Sequence, residues 1–427
     1  MTAFDFQPEF RKTVLSNGVR LVTEHHLFSR ATSAAVYVEL GTRDEPKNLN
    51  GAAHFIEHLV FKGTKERSAF EIAKSLEAVG GELNAYTSRE YTCFHATSLR
   101  EHLSLSLDVL MDLATQATFE PKEFKKEREV IEQEIDMSVD LLEEHIFDLY
   151  FENVYKNHSL GAPILGTVES LSRMTRNSLF DFYSHCYGGK NLLVSVAGDV
   201  DHEKVLGLVQ QSLSQTQVRV KHPKRQKPKL ESFTSVIRRP SEQINLLMGF
   251  PSSSFVEPLR FEAYIVNALL GGGMTSRLYQ RVREEQGLVY SIYSYLHTFT
   301  DSGLMMVYAG TSAKNAPVVL QNMVEEIDKL QKQGVSKQSL DFFKTQVKGS
   351  ILLDADNIEN RMNSIAVNEM IFHRYRPVEE IVSEIDRVSV ESIQHYINRY
   401  LRLDHCGVIV MGDVEEETAE QWVSNAF

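Results

Sequence analysis

Two nine-residue segments, LLVSVAGDV at 192–200 and CGVIVMGDV at 406–414, decide how this 427-residue chain is organised. Each is an apolar, β-like run ending in Gly-Asp-Val, and their starts differ by 406 − 192 = 214, half the chain. The flanks keep that spacing. Pro163 matches Pro377, Arg173 matches Arg387, and Thr175–Tyr187 has the same helical apolar spacing as Ser389–Leu401. Further upstream the register drifts, Phe124 matching Phe342 and SAAVYVEL at 33–40 resembling INLLMGF at 244–250, as insertions in loops would produce. Landmarks recurring in one order indicate an internal duplication.

Between the halves, SQTQVRVKHPKRQKPKLES at 214–232 combines two prolines, a run of Lys and Arg, and few large apolar residues, the composition of a solvated linker. Domains are therefore expected at 1–213 and 233–427, joined by a basic linker at 214–232. Each half mixes period-2 strands such as AAVYVEL and EYTCFHATS with helical stretches such as FEIAKSLEAVG, and an Asn17-Gly18 turn separates two strand-like runs. Strands and helices do not alternate regularly. The expected fold is α+β: two tandem homologous domains, each a mostly antiparallel sheet packed with helices.

Composition narrows the function. Hydrophobic residues are 42% and charged residues 24%, ordinary globular values, and no apolar run approaches the ~20 residues of a spanning helix. A net charge of −13 disfavours nucleic-acid binding and favours cationic partners. Cys93, Cys186 and Cys406 are too few and too scattered for a disulfide framework, and the N-terminal stretch has no signal-peptide h-region, so a cytoplasmic protein is expected.

The chemistry lies in NLNGAAHFIEHLVFKGT, residues 48–64. With 51–61 helical, His54 and His58 are i and i+4 on one face, a spacing at which two imidazoles bind one Zn²⁺, and Glu57 borders that face as a candidate general base. A third ligand is sought on PKEFKKEREVIEQEIDMSVDLLEEHIFDLY, where Phe124, Ile131, Ile135, Leu142 and Ile146 predict one long helix from Pro121. Glu127 and Glu134 fall at i−4 and i+3 of Ile131, on or beside the apolar stripe, where a carboxylate needs a partner. Glu134 is the candidate third ligand, and Glu127 a partner that orients a ligand.

At these residues the chain resembles the HxxEH metallopeptidases, specifically the pitrilysin, insulin-degrading and mitochondrial-processing peptidase family. That family places its third ligand at this distance beyond the second histidine and another glutamate seven residues before it; here 134 − 58 = 76 and 134 − 127 = 7. The resemblance covers nearly the whole chain and implies a zinc endopeptidase of the short two-domain subfamily similar to bacterial processing peptidases, with one Zn²⁺ per chain. It also assigns two substrate segments. Asn84-Ala85 in GGELNAYTS matches a pair on the edge strand that receives the peptide, and Arg283 and Tyr290 match an arginine and a tyrosine that contact substrate near the scissile bond.

The second half does not repeat the metal site: PLRFEAYIVNALLGGG at 258–273 has no histidine, and Leu352 stands opposite Glu134. Gly271–Gly273 reads as a helix-end turn, because no GxxxxGK[ST] follows. His95, on a predicted strand, reads as structural. The resemblance further implies a dimer, homo- or heteromeric, acting on unstructured peptides, basic ones among them. The competing functions are a non-catalytic peptide-binding or scaffold subunit, or the catalytic half of a heterodimer.

Overall fold

In the computed structural model, which describes residues 8–27, 29–214, 216 and 224–427, the duplication is visible in the order of the strands. The first sheet contains β1 (Glu9–Val14), β2 (Arg20–His25), β3 (Ala31–Val38), β4 (Glu82–Thr87), β5 (Thr92–Leu99) and β6 (Leu192–Gly198), in the order β1-β2-β6-β3-β5-β4. The second contains β7 (Phe233–Arg238), β8 (Ile244–Pro251), β9 (Val289–Thr298), β10 (Gly303–Thr311) and β11 (Gly407–Gly412), in the order β7-β11-β8-β10-β9. Without β1 the two orders correspond strand for strand. Each has one parallel pair, β2 with β6 and β7 with β11, and is otherwise antiparallel.

The repeated Gly-Asp-Val has a backbone cause. Gly198 and Gly412 close equivalent strands at φ +130° and +153°, and a Cβ there would lie 2.7 Å from the Ala31 carbonyl oxygen and 2.8 Å from that of Gln243. Only glycine meets both requirements. The hairpin expected at Asn17-Gly18 joins β1 to β2, and the buried Asn17 amide donates to the Leu213 carbonyl at 2.7 Å.

One face of the first sheet carries α1 (Ala52–Val60), α2 (Ala69–Glu77), α3 (Leu103–Gln116) and the start of α4 (Pro121–Asp140) over a core including Val36, Phe55, Leu59, Phe94, Leu110 and Ile131. The long helix expected from Pro121 through Ile146 is two helices. It breaks at Leu141 (φ −84°, ψ 82°), and α5 (Leu142–Val154) follows. The apolar stripe changes client there. Phe124 and Ile131 face the first core, whereas Ile146, Tyr150 and Phe151 pack on Leu247, Met306 and Ile409 of the second sheet.

The compact units consequently do not follow the linear halves. One comprises residues 1–136, 162–225 and 353–376; the other comprises 137–161, 226–352 and 377–427. The exchange is reciprocal: as α5 covers the second sheet, the helix Ile358–Phe372 covers the first, with Met362, Ile365 and Ala366 on Val22, Tyr37 and Leu193. The chain passes from the first unit to the second between Arg225 and Gln226, inside the segment read as a linker, of which residues 215 and 217–223 lie outside the described residues.

A buried ion pair fastens the exchanged helix. Glu24, on β2, receives Nε and Nη2 of Arg361 at 2.8 and 2.5 Å and His26 Nε2 at 2.6 Å. Burial alone would raise the Glu24 carboxyl, but the hydrogen bonds from His26 and Arg361 and the guanidinium charge outweigh it and hold the group at about 2. A carboxylate depressed from 4.5 stabilises the fold above that pH by about 3 kcal/mol and loses this as pH falls towards 2. Arg361→Ala leaves His26 as the remaining side-chain partner given above for the buried carboxylate and is expected to cost about 3 kcal/mol in urea unfolding at pH 7, with a flatter acid limb below pH 4.5.

Candidate metal centre

Helix α1 begins at Gly51, whose φ of +92° turns the chain into the helix. Its side chain cannot cap, and the buried Glu45 does so instead: its carboxyl accepts the Gly51 and Ala53 N–H groups at 2.8 and 2.6 Å. Burial nevertheless pushes that carboxyl up to about 8, against the pull of these donors. Phe55, Ile56, Leu59 and Val60 sink into the core, which leaves His54, Glu57 and His58 on the half-buried strip. Phe124 of α4 stacks on Phe55, ring centroids 5.0 Å apart and planes 11° from parallel, and this sets Glu127 and Glu134 against α1.

His54, His58 and Glu134 converge, their donor atoms all within 4.8 Å of one another. They are the one such group of three or more His, Cys, Asp or Glu among the described residues. Glu134 Oε2 lies 3.4 Å from His58 Nε2 and 3.9 Å from His54 Nε2. An ion about 2.0–2.1 Å from each donor in a tetrahedron needs them about 3.3–3.5 Å apart, so small side-chain rotations suffice. Two imidazoles and a carboxylate are a zinc donor set that leaves the fourth position open.

Electrostatics fit the same use. Burial, aided by the neighbouring His58, lowers His54 to about 3, so it is a neutral imidazole, and its buried Nδ1 has no hydrogen-bond partner among the described residues. His58 Nδ1 donates to Glu127 Oε2 at 3.1 Å, which leaves Nε2 as the lone-pair nitrogen facing Glu134. Glu127 is 3% exposed, and its other oxygen pairs with Lys62 Nζ at 3.0 Å. Removing that orienting carboxylate by Glu127→Gln is expected to weaken zinc binding about 10–100-fold in competition with a chromogenic chelator.

Glu57 sits beside this cluster with its carboxyl raised, burial being the main cause. Its Oε2 accepts the Thr87 hydroxyl at 2.6 Å, a bond joining α1 to β4. β4 is the outer strand of its sheet, with Asn84 opposite His95 and Ala85 opposite Phe94. Leu83 and Ala85 pack with α1 on the core side, whereas Tyr86 packs on the opposite face. By alternation Asn84 shares Tyr86's face, away from the metal cluster, and its Oδ1 accepts its own neighbour's N–H, that of Ala85, at 2.8 Å. His95 pairs with Glu359 at 3.3 Å on that face, apart from the cluster.

Arg283 and Tyr290 belong to the other unit. The Arg283 guanidinium lies over the Tyr279 ring at 5.1 Å, and the 68%-exposed Tyr290 is near the start of β9, that sheet's outer strand. The helix Arg260–Leu270, counterpart of α1, ends at Gly271 and carries no histidine. Sequence reasoning passed over Glu45, Lys62 and Thr87. Lys62 is i+4 from His58, but neither that spacing nor a threonine in a strand singles out a partner.

Comparison with known proteins identifies the class. Residues 20–168 match the family described as Insulinase (Peptidase family M16), and 173–347 match the Peptidase M16 inactive domain. The uncharacterized zinc protease YmxG of Bacillus subtilis is 33% identical over 400 residues, covering 94% of this chain and 98% of that one. An uncharacterized zinc protease of Mycobacterium leprae is 33% identical over 406 residues, 94% and 91% of the two chains. In fold, the chain is similar to a protease from Helicobacter pylori (TM-score 0.88, 21% identity, 95% and 100% covered). It is also similar to a structure from Pseudomonas fluorescens described as a peptidase M16 inactive domain (TM-score 0.86, 18% identity, 95% and 98% covered). No helix among the described residues is long and apolar enough to cross a membrane. The chain belongs to the M16, or insulinase, peptidase family, in its short form of two tandem domains.

Proposed function

We propose that this chain is a zinc-dependent endopeptidase that cleaves unstructured peptides, with His54, His58 and Glu134 holding one zinc per chain. The convergence of those three donors beside Glu57 and the outer strand β4 carries the proposal. Zinc, when bound, supplies a water of lowered pKa and polarises the scissile carbonyl. Glu57 takes the proton from the attacking water and delivers it to the leaving amide nitrogen, work suited to a carboxyl whose affinity for a proton is raised by burial. Glu127 holds His58 in the tautomer that presents Nε2.

The peptide adds as a strand to the open edge of β4 at Asn84 and Ala85, and main-chain hydrogen bonds then bind it with little demand on sequence. Only an extended backbone fits such an edge. We assign substrate contacts to Arg283 and Tyr290 as well, and the net charge of −13 favours basic peptides. We assign a dimer, homomeric in the simplest case, and a reducing, cytoplasmic setting consistent with three scattered, buried cysteines. Digestion of a mixed library of unstructured peptides, read by mass spectrometry, tests the function: new fragments dependent on zinc support it, and unchanged masses with zinc bound favour a capture subunit. Sedimentation paired with assay at high dilution tests the dimer, which a fully active monomer would exclude.

A further inference from the structure

We propose that Thr87 is a positioning residue for Glu57, fixing which carboxylate oxygen faces the attacking water and tying the aim of the base to the strand that seats the peptide. The inference rests on the peptidase function proposed above and deepens it. Thr87 has one hydroxyl proton, and it goes to Glu57 Oε2 at 2.6 Å. A carboxylate held by one oxygen presents the other, so Oε1 is the atom left to take a proton.

The donor is itself held rigidly. Thr87 ends β4 opposite Thr92, whose hydroxyl donates to the Leu40 carbonyl at 3.1 Å. The turn between them is closed by Ser88, whose N–H and hydroxyl both reach the Tyr91 carbonyl, at 2.9 and 2.8 Å. The turn is also pinned to the segment 42–44: Thr42 N–H donates to the Ser88 carbonyl at 3.2 Å, Arg43 N–H to that of Arg89 at 2.9 Å, and the buried Arg43 side chain to Glu90 at 2.7 Å. Glu57 is thus aimed from a locked hairpin and not from its own flexible side chain. That hairpin includes the outer strand β4, so one rigid element both receives the peptide and orients the base.

The test uses the full chain, zinc-loaded, as Thr87→Val and Thr87→Ser, with crystal structures and steady-state kinetics on an unstructured synthetic peptide. In Thr87→Val we expect zinc content unchanged, KM within about twofold, and kcat lower by about 10–100-fold, with the Glu57 carboxylate turned from its present position. Thr87→Ser keeps the hydroxyl and should recover kcat to within a few-fold. A Thr87→Val protein with Glu57 in place or kcat intact overturns the proposal. So does parallel loss of zinc, KM and kcat in both variants, which marks a merely structural threonine. If the wild type cuts no peptide, the endopeptidase function fails, and the crystal structures alone decide this proposal: a Glu57 carboxylate unmoved in Thr87→Val refutes it, and one displaced there but restored in Thr87→Ser upholds it.

Discussion

Glu57→Gln is expected to bind zinc as the wild type does and to cleave peptides about 10³–10⁴-fold more slowly. The amide keeps the shape of the side chain and can still engage Thr87, but it cannot accept a proton at neutral pH, so the general-base contribution is lost almost whole. Zinc retention follows from geometry, since the clustered donors are His54, His58 and Glu134, and Glu57 is bonded away from them to β4. Mass-spectrometric digestion with metal analysis of the same samples checks both halves. A variant that cuts at more than a tenth of the wild-type rate would remove Glu57 from the mechanism. One that loses zinc would make it a ligand.

The second large effect is expected at the cluster itself. Glu134→Ala removes the only carboxylate among the three donors and leaves two imidazoles, that of His54 kept neutral by burial. Zinc affinity should fall well beyond the about 10–100-fold expected for Glu127→Gln, and cleavage should fall with it unless zinc is in large excess. The fold should survive. The first core is built of Phe55, Leu59, Phe94, Leu110 and Ile131, all fully buried without reference to the metal, and Glu134 lies at the protein surface with its side chain 38% exposed. Circular dichroism of Glu134→Ala and of chelator-stripped wild type should therefore overlay that of the zinc form. Unfolding on chelation would instead make the site a structural one.

Much of this was legible in the sequence because short-range rules fixed it. The matched Gly-Asp-Val segments marked equivalent strands, and the reason is backbone geometry that only glycine satisfies at Gly198 and Gly412. That His54 and His58 share one helix face was readable from their i, i+4 spacing. Glu127 and Glu134 were readable because two carboxylates beside Ile131 needed partners, and both have them, Glu127 in His58 and Lys62 and Glu134 within the cluster.

What escaped were choices between equivalent partners. An amphipathic stripe says that a helix is buried, not against which sheet. The exchange of α5 and Ile358–Phe372 between the units, and the break at Leu141 that permits it, could not be read from Phe124, Ile131, Leu142 and Ile146, which continue one helical period. Thr87 escaped for a related reason: strands favour threonine whether or not its hydroxyl serves a base. Asn84 was placed correctly on an outer strand, but only the alternation of Leu83, Ala85 and Tyr86 between faces shows its side chain directed away from the cluster.

The most direct measurement of zinc-dependent cleavage is a titration. Chelator-stripped protein receives zinc in steps, and cleavage of an unstructured peptide is followed by mass spectrometry alongside bound metal. Activity should be absent without zinc, rise in proportion to occupancy, and level off at one zinc per chain. Cleavage by the stripped protein, or none at full occupancy by a chain whose dimer is intact, would contradict a zinc peptidase centred on His54, His58 and Glu134.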